Sequence, residues 1–282
     1  MSRSISALIK TINQLKISKS IIFGLTFAPV KTLTQIISPI AAELQQFEAY
    51  FGQTLKAETE PMDSIMRYVL DTRGKRLRPI LALLSAKLFG VINGQTLRAA
   101  TFVEMVHSAT LIHDDVVDND DQRRGHASVK AQFGNLSAVL AGDYLLAKAM
   151  LLIANDTDIL NEMLRTTAAM SEGELMQANG VDLYLETITR KTALLMRSCC
   201  VAGALSVNAT EEQIRQIADF GLHFGILFQL RDDILDTENA EEAQALLPAY
   251  FKKTLQSLEG FDGNKIVEVL RELTVFCAER RE

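Results

Sequence analysis

An all-α fold, built as a single large helical bundle, is what this chain of 282 residues predicts, and three observations carry the prediction. Apolar residues recur at three- and four-residue spacing almost everywhere from Val30 onward, the period of a helix with one buried face. No segment alternates apolar and polar residues convincingly with period two, so no strand is expected. The 15 glycines and 5 prolines are few for this length, tryptophan is absent, and Ala, Leu, Ile, Glu and Lys dominate, which favours helices. With 48% hydrophobic residues the chain can bury a sizeable core, near the upper size for one undivided domain.

The first stretch stands apart from the rest. MSRSISALIKTINQLKISKSIIFGLTFAPVK is rich in serine and lysine and holds no acid, so residues 1–30 are expected to be a basic N-terminal extension. A flexible or partner-docking arm is one use; a targeting peptide or a peripheral membrane contact are the others. Its longest apolar run, IIFGLTFAPV, is broken by Pro29 and too short to span a bilayer. Residues 31–282 then form one helical domain without a linker. In ISPIAAELQQFEAYFGQTL, Ile40, Leu44, Phe47 and Phe51 recur every three or four positions. Breaks are expected at Glu60-Pro61, Arg73-Gly74, Gly90 to Gly94, Asn155 to Thr157, Gly180, Asn208 and Gly260 to Gly263. The stretches 95–117 and 211–235 are apolar nearly all round, so their helices should be central.

A formal charge of −6 argues against a nucleic-acid binder, and any anionic ligand must be met by a local basic cluster. Cys199, Cys200 and Cys277 are too few for a disulfide framework or a zinc site, which points to a reducing, cytoplasmic compartment.

The chemistry lies in a repeated acidic pattern. LIHDDVVD at 111–118 is echoed by QLRDDILD at 229–236. Residues four apart share one face of a helix, so Asp114 and Asp118 present their carboxylates together, as do Asp232 and Asp236. Like charges at that spacing destabilise a helix, and something cationic should compensate them. Alone, one such run reads as a solvated helix end. Two, on separate apolar helices, point to Mg²⁺, a hard ion held by one or two carboxylates together with substrate phosphates. Basic partners stand in Gly74-Lys75-Arg76-Leu77-Arg78-Pro79, Arg123-Arg124-Gly125 and Arg190-Lys191-Thr192, and arginine forks match phosphate oxygens. His107 lies one heptad before Asp114, on roughly the same face, so ligand contact and a satisfied core histidine both remain open. His113, His126 and His223 are read as structural. No P-loop, GxGxxG or HExxH occurs.

These residues resemble the trans-isoprenyl diphosphate synthases, the polyprenyl synthetase family, in its medium- and long-chain type. GKRLRP, EMVHSATLIHDDVVDNDDQRRG, GDYLLAKA, GELMQ, RKT and FQLRDDILD stand in the family's order from about Gly74 to Asp236. The resemblance implies a bundle of the isoprenoid synthase type around a central cavity, usually a homodimer, joining an allylic diphosphate such as farnesyl or geranylgeranyl diphosphate to isopentenyl diphosphate. It implies Asp114 and Asp118 as Mg²⁺ ligands with Asp115 as a ligand or its support, and Asp232 as the main ligand of the second cluster, backed by Asp233 and Asp236. Arg123 and Lys191 would hold the allylic diphosphate; Lys75, Arg78, His107 and Arg124 would bind isopentenyl diphosphate. Gln229 and Thr192 would line the path of the carbocation. Ala109, five residues before Asp114, would leave room for a product longer than geranylgeranyl, with Met105 or Phe102 as the floor. The alternative is that Ala109 only lets two helices pack closely.

The chain departs from the family in two places. Asp236 runs directly into TENAEEAQALLPAYF, where relatives have a glycine- and lysine-bearing loop, and the gap between Gln177 and Tyr184 is short. A non-catalytic partner subunit of a heteromeric synthase is therefore the alternative function. A terpene cyclase is disfavoured by QLRDDILD and GKRLRP.

Overall fold

The structure, a computed structural model, describes residues 31–280 apart from 73, 238 and 262. The expectations for residues 1–30 lie outside the described residues. From Leu33 onward the chain forms one compact unit. A short α1 (Leu33–Ile36) leads to α2 (Ala41–Leu55), α3 (Glu60–Asp71), α4 (Leu77–Phe89) and the long α5 (Gly94–Val117). After a two-stranded hairpin come α6 (Val129–Phe133), α7 (Asn135–Ile153), α8 (Thr157–Ala178) and α9 (Tyr184–Ile188). A π-helical turn over Thr189–Ala193 joins α9 to α10 (Leu194–Leu205). The second long helix, α11 (Glu211–Asp236), precedes α12 (Ala240–Gln256) and α13 (Lys265–Glu279).

The two long helices start from the same device. The Asn93 side-chain oxygen accepts hydrogen bonds from the amides of Gln95 and Thr96 while Thr96 Oγ1 accepts one from the Asn93 amide; Thr210 and Gln213 repeat this capping box on α11. Both are central, α5 packing on α4, α7 and α10, and α11 on α10 and α12. Their fully buried Phe102, Phe220 and Phe224 anchor the core. Each acidic motif thereby sits at the end of a rigid rod whose start is fixed.

Local geometry differs from expectation in three places. The hairpin β1 (Gln122–Arg123) and β2 (His126–Ala127) forms because Arg124 and Gly125 both take positive φ, 55° and 78°, as a two-residue hairpin turn requires. Gly134, with φ 85°, separates α6 from α7. Asp236 does not run on as helix: Thr237 and Asn239 take φ of 64° and 45° and reverse the chain before α12.

Helix α7 buries Ala138, Ala141, Gly142, Leu145 and Ala149 and leaves Leu136, Leu140 and Leu151 largely exposed. By length and composition alone, its 19 residues at mean hydropathy 1.7 would suffice to cross a membrane.

Candidate active site

The first acidic motif divides by face. Asp114 lies on the cavity side of α5, and Asp118, whose amide donates to the Asp114 carbonyl at 2.8 Å, caps the helix one turn on. Asp115, a hundred degrees round the axis, turns into the wall, where it is buried and accepts a 2.7 Å bond from Arg123 Nε. Burial, reinforced by Glu174, pushes the Asp114 pKa up to about 6. Glu174, from the GELMQ stretch, faces the same cavity and pairs with Lys191 Nζ at 2.7 Å; Gln177 accepts from the same nitrogen at 2.5 Å. Lys191 rides on the π-helical turn, which comes this close to α8 because residue 173 is glycine: a Cβ there would lie 2.7 Å from Arg190 Cβ and 3.1 Å from the Lys191 amide.

The second motif divides in the same way. Asp232 faces the cavity and accepts from Arg280 Nη2 at 2.5 Å, and the Arg280 guanidinium lies 4.1 Å from the centre of the Phe228 ring. Asp233 is buried and bonded to the Tyr184 hydroxyl and to Gln229. Asp236 is the exposed last residue of α11. Burial raises the Asp232 pKa, with Arg280 pulling it back.

Asp114, Asp118 and Asp232 meet on one cavity of about 420 Å³, together with Arg123, Lys191, Thr192 and Gln229. Arg78, His107, Phe228 and Asp232 also wall a neighbouring cavity of about 690 Å³. That second cavity is lined by the basic side chains of Lys75, Arg78, Arg124 and Arg280, by the carboxylates of Glu104 and Asp232, and by apolar Leu33, Phe224, Leu273 and Phe276. Arg78 Nε and His107 Nε2 are buried without a hydrogen-bond partner in the protein. Burial, and next the charge of Arg78, holds the His107 pKa well below its usual range, so the ring is neutral. Arg124 reaches this cavity across Gly74, where a Cβ would fall 2.5 Å from its Cζ. Arg76 lines the same cavity but is held by carboxylates of the protein, pairing with Glu104 at 2.6 Å and Glu48 at 3.0 Å.

Four expected site residues stand away from both cavities, Asp115 in the wall among them. Asp233 and Asp236 do not line the cavity where the other carboxylates meet; Asp233 lines a smaller one of about 340 Å³ beside Tyr184. Ala109 is fully buried and lines none of these cavities, as are Met105 and Phe102. Five residues turn a helix by about 140° from Asp114, away from the cavity, whereas the four from Thr110 turn it by about 40°. Thr110, with Leu111, Met170 and Ser171, forms the wall. The sequence analysis gives no role to Glu174, Thr110, Tyr184 or Arg280; GELMQ contains Glu174 and EMVHSATLIHDD contains Thr110, while nothing there points to Arg280.

The polyprenyl synthetase family profile matches residues 59–245, and the chain belongs to that family. It is 39% identical over 178 residues to octaprenyl diphosphate synthase of Haemophilus influenzae, covering 60% of this chain and 54% of that protein. It is 35% identical over 237 residues to decaprenyl-diphosphate synthase of Dictyostelium discoideum, covering 80% of this chain and 50% of that one. The chain thus spans about half the length of these relatives. Among solved structures, a polyprenyl synthase from Caulobacter crescentus, complexed with calcium and isoprenyl diphosphate, superposes with TM-score 0.84 at 24% identity, over 91% of this chain and 100% of that one. The all-α fold is therefore that of the polyprenyl synthases.

Proposed function

We propose that this chain is a Mg²⁺-dependent prenyltransferase that condenses an allylic diphosphate, farnesyl or geranylgeranyl, with isopentenyl diphosphate to give a polyprenyl diphosphate longer than geranylgeranyl. The observation that carries the proposal is the pairing of cavities: three carboxylates converge on one, and a basic-and-apolar pocket shares its wall. The second cavity suits a short amphiphile, with an anionic head against Lys75, Arg78 and Arg124 and an apolar tail against Phe224 and Leu273. The names of the octaprenyl and decaprenyl relatives support the long product.

The residues fit Mg²⁺. All the converging ligands are hard carboxylate oxygens, burial and Glu174 disfavour the charged form of Asp114 against the pull of Lys191 and Arg123, and Arg280 already stands at Asp232 as a cation. Among the described residues, no group of three or more His, Cys, Asp or Glu side chains is placed to hold a metal alone, as suits an ion completed by substrate phosphates. Mg²⁺ ions held at Asp114 and Asp118 on one side and at Asp232 on the other, each completed by substrate phosphates, would neutralise charge on the departing diphosphate. Arg123 and Lys191 hold that diphosphate once they exchange Asp115 and Glu174 for its oxygens. Phe228 and Met170 limit water around the allylic cation, and Gln229 and Thr192 face its path. The alkene held in the neighbouring cavity attacks the allylic cation, and the tertiary cation so formed loses a proton to the released diphosphate, so no protein nucleophile is required.

The exposed apolar face of α7 supports a homodimer, with a second copy covering Leu136, Leu140 and Leu151. Three buried free thiols support a reducing, cytoplasmic setting. A second function, the non-catalytic partner subunit, is favoured by the tight turn that directly follows Asp236 where relatives have a closing loop. Incubation with farnesyl diphosphate, isopentenyl diphosphate and Mg²⁺, followed by mass spectrometry, separates the two. A polyprenyl diphosphate longer than geranylgeranyl, abolished by EDTA, is expected; unconsumed substrates would favour the partner subunit.

A further inference from the structure

Four polar side chains beside the reaction cavity form one hydrogen-bonded chain. Thr192 Oγ1 donates to Gln229 Oε1 at 2.8 Å, Gln229 Nε2 donates to Asp233 Oδ1 at 2.8 Å, and the Tyr184 hydroxyl donates to Asp233 Oδ2 at 2.5 Å. The Gln229 amide is fixed in one orientation by this chain, its oxygen toward Thr192 and its nitrogen toward Asp233. Gln229 and Thr192 line both the reaction cavity and the smaller cavity behind it; Asp233 and Tyr184 line only the smaller one. Both Asp233 oxygens are taken by donors, and the residue is only 7% exposed. The carboxylate left facing the cavity in the second motif is Asp232.

We propose that Tyr184 is a positioning residue: it anchors Asp233 so that Asp233 holds the Gln229 amide at the edge of the reaction cavity, and Asp233 serves orientation rather than metal binding. The proposal rests on the condensation proposed above. Tyr184 opens α9 two turns before Lys191, so α9 and the π-helical turn that continues it carry both the anchor of Asp233 and the diphosphate-holding lysine. Phenylalanine there keeps the ring but leaves a buried carboxylate oxygen without its donor, and the strain passes to Gln229.

Steady-state kinetics and calorimetric titration of Mn²⁺ with pyrophosphate test this together. Tyr184→Phe and Asp233→Asn should each lower kcat about tenfold, with KM for isopentenyl diphosphate within about twofold, and the double variant should fall no further than the worse single one. Mn²⁺ binding should stay within about twofold of wild type in both variants and fall at least about tenfold in Asp232→Asn. Wild-type kcat in Tyr184→Phe would overturn the proposal, as would Asp233→Asn weakening Mn²⁺ as much as Asp232→Asn does. Should Tyr184→Phe fail to fold, Asp233→Asn decides both points. A wild type that binds Mn²⁺ but makes no condensation product would sink the proposed function, while the titration would still decide the place of Asp233.

Discussion

LIHDDVVD and QLRDDILD close two long helices that begin from matching capping boxes, yet the two ends hold their charge differently. In each, the first aspartate faces the cavity and the second is pinned into the wall, Asp115 by Arg123 and Asp233 by Tyr184 and Gln229. The difference lies in the first aspartate. Asp114 has burial and Glu174 against it, whereas Asp232 already has Arg280 at 2.5 Å. The shared Asp-Asp-x-x-Asp pattern therefore gives one end whose first acid has no directly bonded cation and one whose first acid is already paired with an arginine.

The largest effects should come from the two cavity-facing acids. Asp114→Ala and Asp232→Ala should each lower turnover by about three orders of magnitude with the fold intact by circular dichroism. Near-normal turnover in either variant would break the pairing. The last acids of the motifs should differ: Asp118→Ala is expected to cost about a hundredfold and Asp236→Ala less than about tenfold, because only Asp118 lines the cavity. Equal losses in kcat would restore Asp236 as a ligand.

Product length sharpens the picture of the α5 wall. Thr110→Phe should shorten the product toward farnesyl or geranylgeranyl diphosphate, read by chromatography of the dephosphorylated products. Ala109→Phe should instead destabilise the fold by about 1–3 kcal/mol in urea unfolding, since it overpacks a closed core. Shortening by Ala109→Phe alone would return the tunnel to that face.

The smallest effect concerns pH. In the metal-free protein the Asp114 pKa is raised from 3.8 to about 6. A carboxylic acid raised in the folded state adds stability that is fully present below its unfolded pKa and is lost as pH rises through the folded value. Between about pH 4 and pH 7 the loss, discounted for partial exposure, is on the order of 1 kcal/mol. Asp114→Asn should remove that slope in urea titrations; an unchanged slope would show that Asp114 is not held protonated.

Much of this was legible in sequence, and the rest was hidden for physical reasons. The helical period and the breaks near Gly90 to Gly94 and Asn208 locate the two central helices, because an apolar face and a cap are local signals. The pairing of Asp114 with Asp118 follows from spacing alone. The hairpin at Arg124-Gly125 was not legible, since two residues at positive φ leave no periodic trace. Nor was Arg280, which reaches Asp232 from 48 positions away, a contact that only the packing of α13 creates. Ala109 and Thr110 differ by one residue in sequence and by about 100° around the helix, so counting back from Asp114 could not choose between them without the position of the cavity.

The most direct test of whether both acidic motifs act on one diphosphate is the turnover of the double variant Asp114→Ala/Asp232→Ala beside the two single ones. If the motifs grip the same group, removing either already forfeits the grip, and the double variant should be no more than about tenfold slower than the worse single variant. Losses that multiply would mean that the two motifs act independently, and would contradict the shared grip.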